Sequence, residues 1–339
     1  MSGLAKRVTI KDVAKAANVA IGTVSRFLNN NGYVSNEATA RIKTAIEDLD
    51  FIPSSAARSM INKKSSIIGI TVPEINNPFL ADLVVRLEAT LSKMNYSIML
   101  CNNKYSSLKV ANFIDDLIMR NAEGLILVAT DIDDEVLEKK MKNFLRPIFI
   151  GHKRAGFDSI CIGDYDSSYQ LTKHLISLDH KRIGFIGYNE NARQTMIRVE
   201  GYCAALEDAG LHVLKELMLQ SCAGHSDGYL LAKQLLSMKD RPSAMIAIND
   251  FYAVHAYAAI ADAGIRVGDD ISIAGFDDIL MAKFISPPLT TVRCDCQELV
   301  DRSIDLLLDM IEGEHEASPT ELMLSSHLVL RESTKIRSI

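Results

Sequence analysis

Thr9-Ile10-Lys11-Asp12-Val13-Ala14-Lys15-Ala16-Ala17-Asn18-Val19-Ala20-Ile21-Gly22-Thr23-Val24-Ser25-Arg26-Phe27-Leu28-Asn29 is written in helical periods with one interruption. Thr9 to Asp12 has the form of a capping box, a hydroxyl offered to the first turn and an acid three residues on. Ile10, Val13, Ala14 and Ala17 keep helical spacing, which predicts a short helix to about Ala17. Asn18-Val19-Ala20 reads as a tight turn, Asn18 being tolerant of the left-handed backbone such turns need. A second helix is expected over Ile21 to Leu28, with Val24 and Leu28 inward, and Asn29-Asn30-Asn31-Gly32 ends it. Ser35 can cap a third helix whose inner face is Ala38, Ile42, Ala45, Ile46 and Leu49. Three short helices, the first two joined by a three-residue turn, form a helix-turn-helix pattern.

In that pattern the second helix enters the major groove of a duplex and offers its leading residues to base edges. Here these are Ile21, Gly22, Thr23, Ser25 and Arg26. The hydroxyls of Thr23 and Ser25 suit phosphate oxygens, and Arg26 suits a guanine or a phosphate. Ile21 can pack on a thymine methyl, and Gly22 leaves room for backbone approach. Charge is distributed to match. Residues 1–64 carry ten Lys/Arg against five acids, whereas the remainder carries 27 against 38, within a chain of net charge −6. A small basic module on a larger acidic body fits a partner rich in phosphate.

Outward from this module, Phe51-Ile52-Pro53 closes the unit and Asn62 to Ser66 reads as a polar linker. From Ile67 the texture changes. The apolar runs Ile67–Val72, Ser97–Cys101, Gly124–Val128 and Ile148–Ile150 alternate with helical patterns. A second series is Ile183–Ile186, Leu217–Leu219, Ala244–Ile248 and Ile271–Ala274. Such alternation predicts parallel sheets with helices on both faces, and two series predict two similar lobes. A ligand cleft is then expected at the loops after the strands.

The 339 residues suffice for more than one core, and 48% hydrophobic with 24% charged residues is ordinary for a globular protein. No apolar run approaches the roughly 20 residues of a membrane helix, and no secretory pattern is present, so a cytoplasmic location is expected. Six dispersed cysteines without a C-x-x-C pair, and eight dispersed histidines, give no metal site, and no cofactor is expected. G-x-S-x-G, P-loop, G-x-G-x-x-G and H-E-x-x-H signatures are absent, and Asp277-Asp278 are adjacent with diverging side chains, so an enzyme is not expected.

Val8-Thr9-Ile10, Asp12-Val13-Ala14, Val19, Thr23-Val24-Ser25-Arg26, Leu28-Asn29, Val34-Ser35 and Phe51-Ile52-Pro53 together resemble the head-piece of the lactose-repressor (LacI/GalR) family. The resemblance continues through Asn77-Pro78-Phe79, Glu123 to Ile126, His180 to Gly187, Arg198 with Gly201-Tyr202, Asn249-Asp250, Gly275 to Asp278 and Pro288 to Val292. It implies an all-α head-piece followed by an α/β, two-lobed, periplasmic-binding-protein-like sensor. The implied divisions are a DNA-binding domain over 8–53 and a hinge helix with linker over 54–66. An N-subdomain of 67–163 with 294–324 and a C-subdomain of 164–293 with 325–339 follow. It further implies a homodimer on a pseudo-palindromic operator in double-stranded DNA, with an effector between the lobes controlling operator affinity.

By that resemblance Thr9, Asn29 and Tyr33 join the DNA-contact set, and Ala57 and Met60 on the hinge would enter the minor groove. Met60 stands where a leucine is usual, and Ala20 where a serine is common. The effector set is Asn77, Phe79, His152, Arg198, Asn249 and Asp277. His152 occupies a place where an acid is common, and Ala223 one where an aromatic is frequent. The gain of a histidine and loss of an acid suit a sugar acid or sugar phosphate. The Arg198 guanidinium and the Asp277 carboxylate can hold adjacent hydroxyls and the Asn249 amide both donates and accepts, so the expectation is a carbohydrate-type effector, the alternative being a purine, a nucleoside or a protein corepressor.

Overall fold

The computed structural model describes residues 8–28, 32–51, 65–142, 146–221, 228–313 and 318–337. Asn29, Ala57, Met60, Ala223 and nearly all of the expected hinge lie outside these residues. The chain divides into two compact units, Met1–Ser65 and Ser66–Ile339.

The first unit contains helices α1 (Ile10–Ala16), α2 (Ile21–Leu28) and α3 (Asn36–Asp48). The Asp12 carboxylate accepts the Thr9 N–H at 2.8 Å and the Thr9 hydroxyl at 2.6 Å, which fixes the entry to α1. Asn18 takes φ 50°, so the turn into α2 uses the left-handed backbone its side chain tolerates. The Ser35 hydroxyl accepts the Ala38 N–H and starts α3. Val13, Val24 and Ile42 are fully buried and pack with Ala14, Ala17, Ala45 and Phe51 into one small core.

The second unit holds two six-stranded sheets. The first contains β1 (Ile67–Val72), β2 (Ser97–Asn102), β3 (Gly124–Val128), β4 (Ile148–Gly151), β5 (Ser159–Ile162) and β11 (Glu321–Leu324), in the order β11-β5-β4-β3-β1-β2. The second contains β6 (Ile183–Tyr188), β7 (Met218–Gln220), β8 (Ala244–Ala247), β9 (Ser272–Phe276), β10 (Thr290–Cys294) and β12 (Ser326–Val329), in the order β12-β10-β9-β8-β6-β7. All described pairings are parallel except β10 with β12, where Thr291 faces Val329. Every residue of β3 and of β6 is buried, as expected for central strands covered on both faces.

Helices α4 (Pro78–Lys93), α5 (Ser107–Met119), α6 (Asp134–Met141) and α11 (Cys296–Glu312) belong with the first sheet. With the second belong α7 (Asp164–Ser177), α8 (Arg193–Asp208), α9 (Gly228–Leu236) and α10 (Asp250–Asp262). The chain changes lobe after β5, after β10 and between β11 and β12. Two of these crossings are tied by the Gly163 N–H on the Leu324 carbonyl at 3.3 Å, and by a hydroxyl bond between Ser167 and Ser326. No described helix is long and apolar enough to cross a membrane.

Candidate functional site

On the first unit, α2 buries Val24 and turns Ile21, Gly22 and Arg26 outward. Ile21 is 47% exposed, and nothing lies within 4 Å of where a Gly22 Cβ would sit. Thr23 and Ser25 are half-buried, and Thr9 is exposed at the start of α1. Tyr33, 87% exposed, carries its ring away from the core. An apolar residue and an arginine left open on one short helix are costly to no partner but useful to a groove.

On the second unit a cleft of about 680 Å³, counting its open mouth, lies at the C-terminal ends of both sets of strands. Its walls come from both lobes: Asn77, Phe79, Tyr105 and Leu299 on one side, Gln194, Thr195, Arg198, Asn249, Tyr252 and Asp277 on the other.

Arg198 is the polar centre. It is only 8% exposed, on the inner face of α8. Its Nε donates to Asp164 at 2.7 Å and its Nη1 to the Ile248 carbonyl at 2.5 Å. The guanidinium carbon stands 4.4 Å from the centre of the Phe276 ring, and Nη2 lies 3.6 Å from the Asp277 carboxylate. These four contacts fix the fork, and Arg198 lines the cleft.

The motif around Arg198 is built for this placement. Gly201, one turn on, lets α8 press against α7: a Cβ there would meet the Tyr165 carbonyl oxygen at 2.3 Å. The Ser168 hydroxyl donates to the Arg198 carbonyl at 2.6 Å, and the buried Tyr202 hydroxyl to the Ile183 carbonyl at 2.7 Å.

The two adjacent aspartates take separate duties. Asp277 and Asp278 have φ 102° and 47°, a left-handed pair that sends their carboxylates apart. Asp278 is clasped by Arg293 and by Arg331, the latter at 2.6 Å, and is withdrawn from the cleft. Asp277 faces it. Burial pushes the Asp277 carboxyl up to about 6, against the opposing pull of Arg198 and of the Asn77 amide.

Asn77 and Asn249 are both helix caps. Each spends its side-chain oxygen on its own helix, Asn77 on the Phe79 N–H at 2.9 Å and Asn249 on the Tyr252 N–H at 3.0 Å. An amide both donates and accepts, and the cap leaves the Asn249 amide nitrogen as the group for a ligand. Phe79 is half-buried, packs against the cores of both lobes and also lines the cleft.

His152 is placed differently from the expectation. It is 3% exposed and absent from the cleft wall. Gly151 turns at φ 110°, and the Gln194 amide lies against it on the cleft side. His152 Nε2 is 3.5 Å from Asp131 but off hydrogen-bond direction, so neither ring nitrogen has a hydrogen-bond partner among the described residues. Burial lowers its pKa, more than Asp131 raises it, which keeps the ring neutral. A charged histidine meeting an anionic ligand is not what this arrangement provides. Asp131 instead accepts the Arg193 N–H at 2.9 Å, joining the lobes beside the cleft.

Tyr105, Gln194, Thr195, Asp164, Tyr252 and Leu299 were not singled out in the sequence. Gln194 sits one helical turn before Arg198 and was reachable by spacing. Tyr105 was not: it is aimed by a left-handed Lys104–Tyr105 pair held by the Asn103 side chain, whose oxygen accepts the Tyr105 N–H at 2.8 Å. No group of three or more potential metal-ligating side chains occurs among the described residues.

A three-helix reader and a two-lobed sensor with a polar centre in its cleft define a ligand-responsive DNA-binding transcriptional regulator. Residues 9–54 match the profile of bacterial regulatory proteins of the lacI family, and residues 172–334 that of the periplasmic binding protein-like domain. The "HTH-type transcriptional repressor PurR" of Haemophilus influenzae is 31% identical over 331 residues, 96% of this chain and 98% of that one. The structure of the Lac repressor dimer bound to operator and the anti-inducer ONPF superposes with a TM-score of 0.84 at 25% identity, covering 97% of this chain and 100% of that one. That of the transcriptional regulator CelR–cellobiose complex gives 0.70 at 26% identity, covering 96% and 100%. The chain belongs to the lacI family of bacterial regulators.

Proposed function

We propose that the protein is a homodimeric repressor whose operator affinity is set by a purine-type effector bound between the sensor lobes. This takes the place of the carbohydrate expectation, of which only the anionic form, a sugar acid or sugar phosphate, leaned on His152. One observation carries the reading: an Arg198–Asp277 pair set among flat or apolar walls, namely Phe79, Tyr105, Tyr252 and Leu299. A planar heterocycle buries well against such walls. A lactam edge offers a carbonyl to the guanidinium beside an N–H for the carboxylate. The Haemophilus influenzae relative, whose name points to purines, supports the same class. A carbohydrate remains the second reading, because a neighbouring vicinal diol can span the same pair and the CelR structure holds cellobiose.

DNA reading is assigned to Ile21, Gly22, Thr23, Ser25 and Arg26, with Thr9, Asn29 and Tyr33 flanking them and Ala57 and Met60 on the hinge. Dimerisation agrees with apolar side chains left open on the second unit. Leu280, Met281 and Phe284 are 69%, 49% and 77% exposed, and Val85 is 63% exposed. A two-fold dimer places two readers on two half-sites.

The test is fluorescence anisotropy of the full-length protein on an operator-type palindrome, titrated with hypoxanthine, guanine, adenosine, ribose and cellobiose. Purine bases should shift operator affinity and the sugars should not. A shift with sugars alone would sink the purine reading while leaving the regulator intact. On the same duplex Arg26→Ala should weaken binding by about 1–3 kcal/mol if Arg26 grips a guanine, and should relax the base preference at one position per half-site.

Asp277 adds a pH signature. Its carboxyl is raised above the unfolded value, so the ligand-free fold favours the protonated form and loses that stabilisation as pH rises through about 6. A ligand donating N–H to the carboxylate requires it ionised. Affinity is therefore expected to be flat above pH 6 and to fall about tenfold per unit below it. Calorimetric titration across this range checks the sign, and Asp277→Asn should remove the slope.

A further inference from the structure

We infer that a buried run of side-chain hydrogen bonds through Thr71, Thr130 and Asn103 is a positioning device, and that it sets Tyr105 as a specificity-determining residue of the effector cleft. The inference rests on the cleft's being the effector site and holds for a purine or a sugar alike. Thr71 lies on β1, Asn103 directly follows β2 and Thr130 closely follows β3. They are 0%, 1% and 3% exposed. Three polar side chains buried at strand ends are costly unless satisfied, whereas apolar residues of similar size would carry no such cost. Their bonds can be ordered. The Thr130 hydroxyl donates to the Val128 carbonyl at 2.8 Å, which uses its one proton. Its oxygen therefore accepts from the Thr71 hydroxyl at 2.8 Å and from the Asn103 amide nitrogen at 2.9 Å. With the amide nitrogen fixed on that side, the Asn103 oxygen faces the Tyr105 N–H, 2.8 Å away.

What these bonds hold is one wall of the cleft. Pro73, Tyr105 and Ala129 line it, and each stands within two residues of Thr71, Asn103 or Thr130. Backbone bonds tie the same segments, the Asn103 N–H on the Val72 carbonyl at 2.9 Å and the Lys104 N–H on the Pro73 carbonyl at 3.0 Å. Lys104, Tyr105 and Ala129 have φ 51°, 57° and 43°, a left-handed backbone that non-glycine residues keep only where the surroundings impose it. Tyr105 is half-buried, and its hydroxyl has no hydrogen-bond partner among the described residues. Burial raises the pKa of that hydroxyl, and Glu74 adds to the rise, so it keeps its proton. The charges of Arg198 and Asp277 reach it from the other lobe. While that pair reads one edge of a ligand, Tyr105 on the facing wall can donate to an acceptor on another, a ring nitrogen or carbonyl of a purine or an oxygen of a sugar. A turn set before the ligand arrives spares the cost of ordering the ring on binding.

Amide hydrogen exchange and calorimetric titration of the full-length protein test the two halves of the inference. Without ligand, the Tyr105 N–H should exchange at least about fivefold faster in Asn103→Ala and Thr130→Val than in the parent. Thr130→Ser, which keeps the hydroxyl, should restore slow exchange. Hypoxanthine and cellobiose are then titrated side by side. Whichever binds should lose about threefold to tenfold in affinity in Tyr105→Phe, and a similar factor in Thr130→Val. In a Tyr105→Ala background Thr130→Val should cost no further affinity, because it acts through that side chain alone. A merely structural role would lower the melting temperature and leave affinity where it was. Binding of cellobiose alone sinks the purine reading and moves this comparison to the sugar. Exchange at Tyr105 as fast in the parent as in Asn103→Ala, or a Thr130→Val loss that is equal with and without the Tyr105 side chain, overturns the inference.

Discussion

Arg198→Ala is expected to abolish every effect of ligand on operator binding and to destabilise the second unit by about 3–5 kcal/mol. The two losses share one cause. Asp164, 2% exposed, relies on the Arg198 Nε for a charge-assisted bond, and Asp277 relies on the same guanidinium for most of what offsets its burial. Removing the cation strands two carboxylates out of water, and the Asp277 pKa, already raised, should rise further. Arg198→Lys should rescue little, because one ammonium cannot reach Asp164, the Ile248 carbonyl and a ligand from one position. The first unit makes none of these contacts, so whatever fraction stays folded should still bind operator. The check combines urea unfolding with anisotropy. Adding Asp164→Asn to Arg198→Met should restore part of the lost stability and none of the ligand response, which separates the ion pair's structural share from its binding share. A ligand response that survives Arg198→Ala would remove the arginine from the site.

The first unit was legible almost residue by residue because its information is local. Helical spacing, a capping box and a left-handed asparagine each act within a few residues, and Thr9, Asn18 and Ser35 behave as written. The central strands were equally plain, since burial on both faces demands unbroken apolar runs. The strands missed were β5 and β10 to β12. Ser159–Ile162 spans four residues, Glu321–Leu324 alternates exposed and buried on a sheet edge, and β10 carries threonines and an arginine. None of these is a continuous apolar signal, and their partners are far off in sequence: β11 pairs with β5 across about 160 residues.

The cleft was half legible for the same reason. Arg198 and Asp277 sit in motifs whose neighbours, Gly201 and Asp278, are themselves required by the backbone. His152 failed because a strand-end position fixes where a residue lies along the chain and not which way its ring turns, and Gly151 with Gln194 turn it inward. Tyr105 depends on a non-glycine left-handed pair, for which the local sequence gives no sign.

Gly201→Ala is expected to damage the C-terminal lobe, whereas the same change at Gly22 should strengthen the reader, and the difference lies wholly in the surroundings. At Gly201 a methyl would stand 2.3 Å from the Tyr165 carbonyl oxygen, 3.0 Å from the Tyr169 nitrogen and 3.1 Å from the Ser168 Cβ. Two of these are backbone atoms of a helix, which cannot step aside singly, so α7 and α8 must separate. Overpacking of this kind costs about 1–3 kcal/mol, and here it also pulls the Arg198 carbonyl from the Ser168 hydroxyl. Ligand affinity should therefore fall together with the melting temperature, although the residue touches no ligand. At Gly22 a methyl meets nothing within 4 Å, and replacing glycine in a helix favours the helix by up to about 1 kcal/mol. Amide hydrogen exchange in α2 should slow in Gly22→Ala. Operator affinity then reads the groove side alone: a drop despite the firmer helix means the duplex backbone or a base edge occupies the space that glycine leaves open.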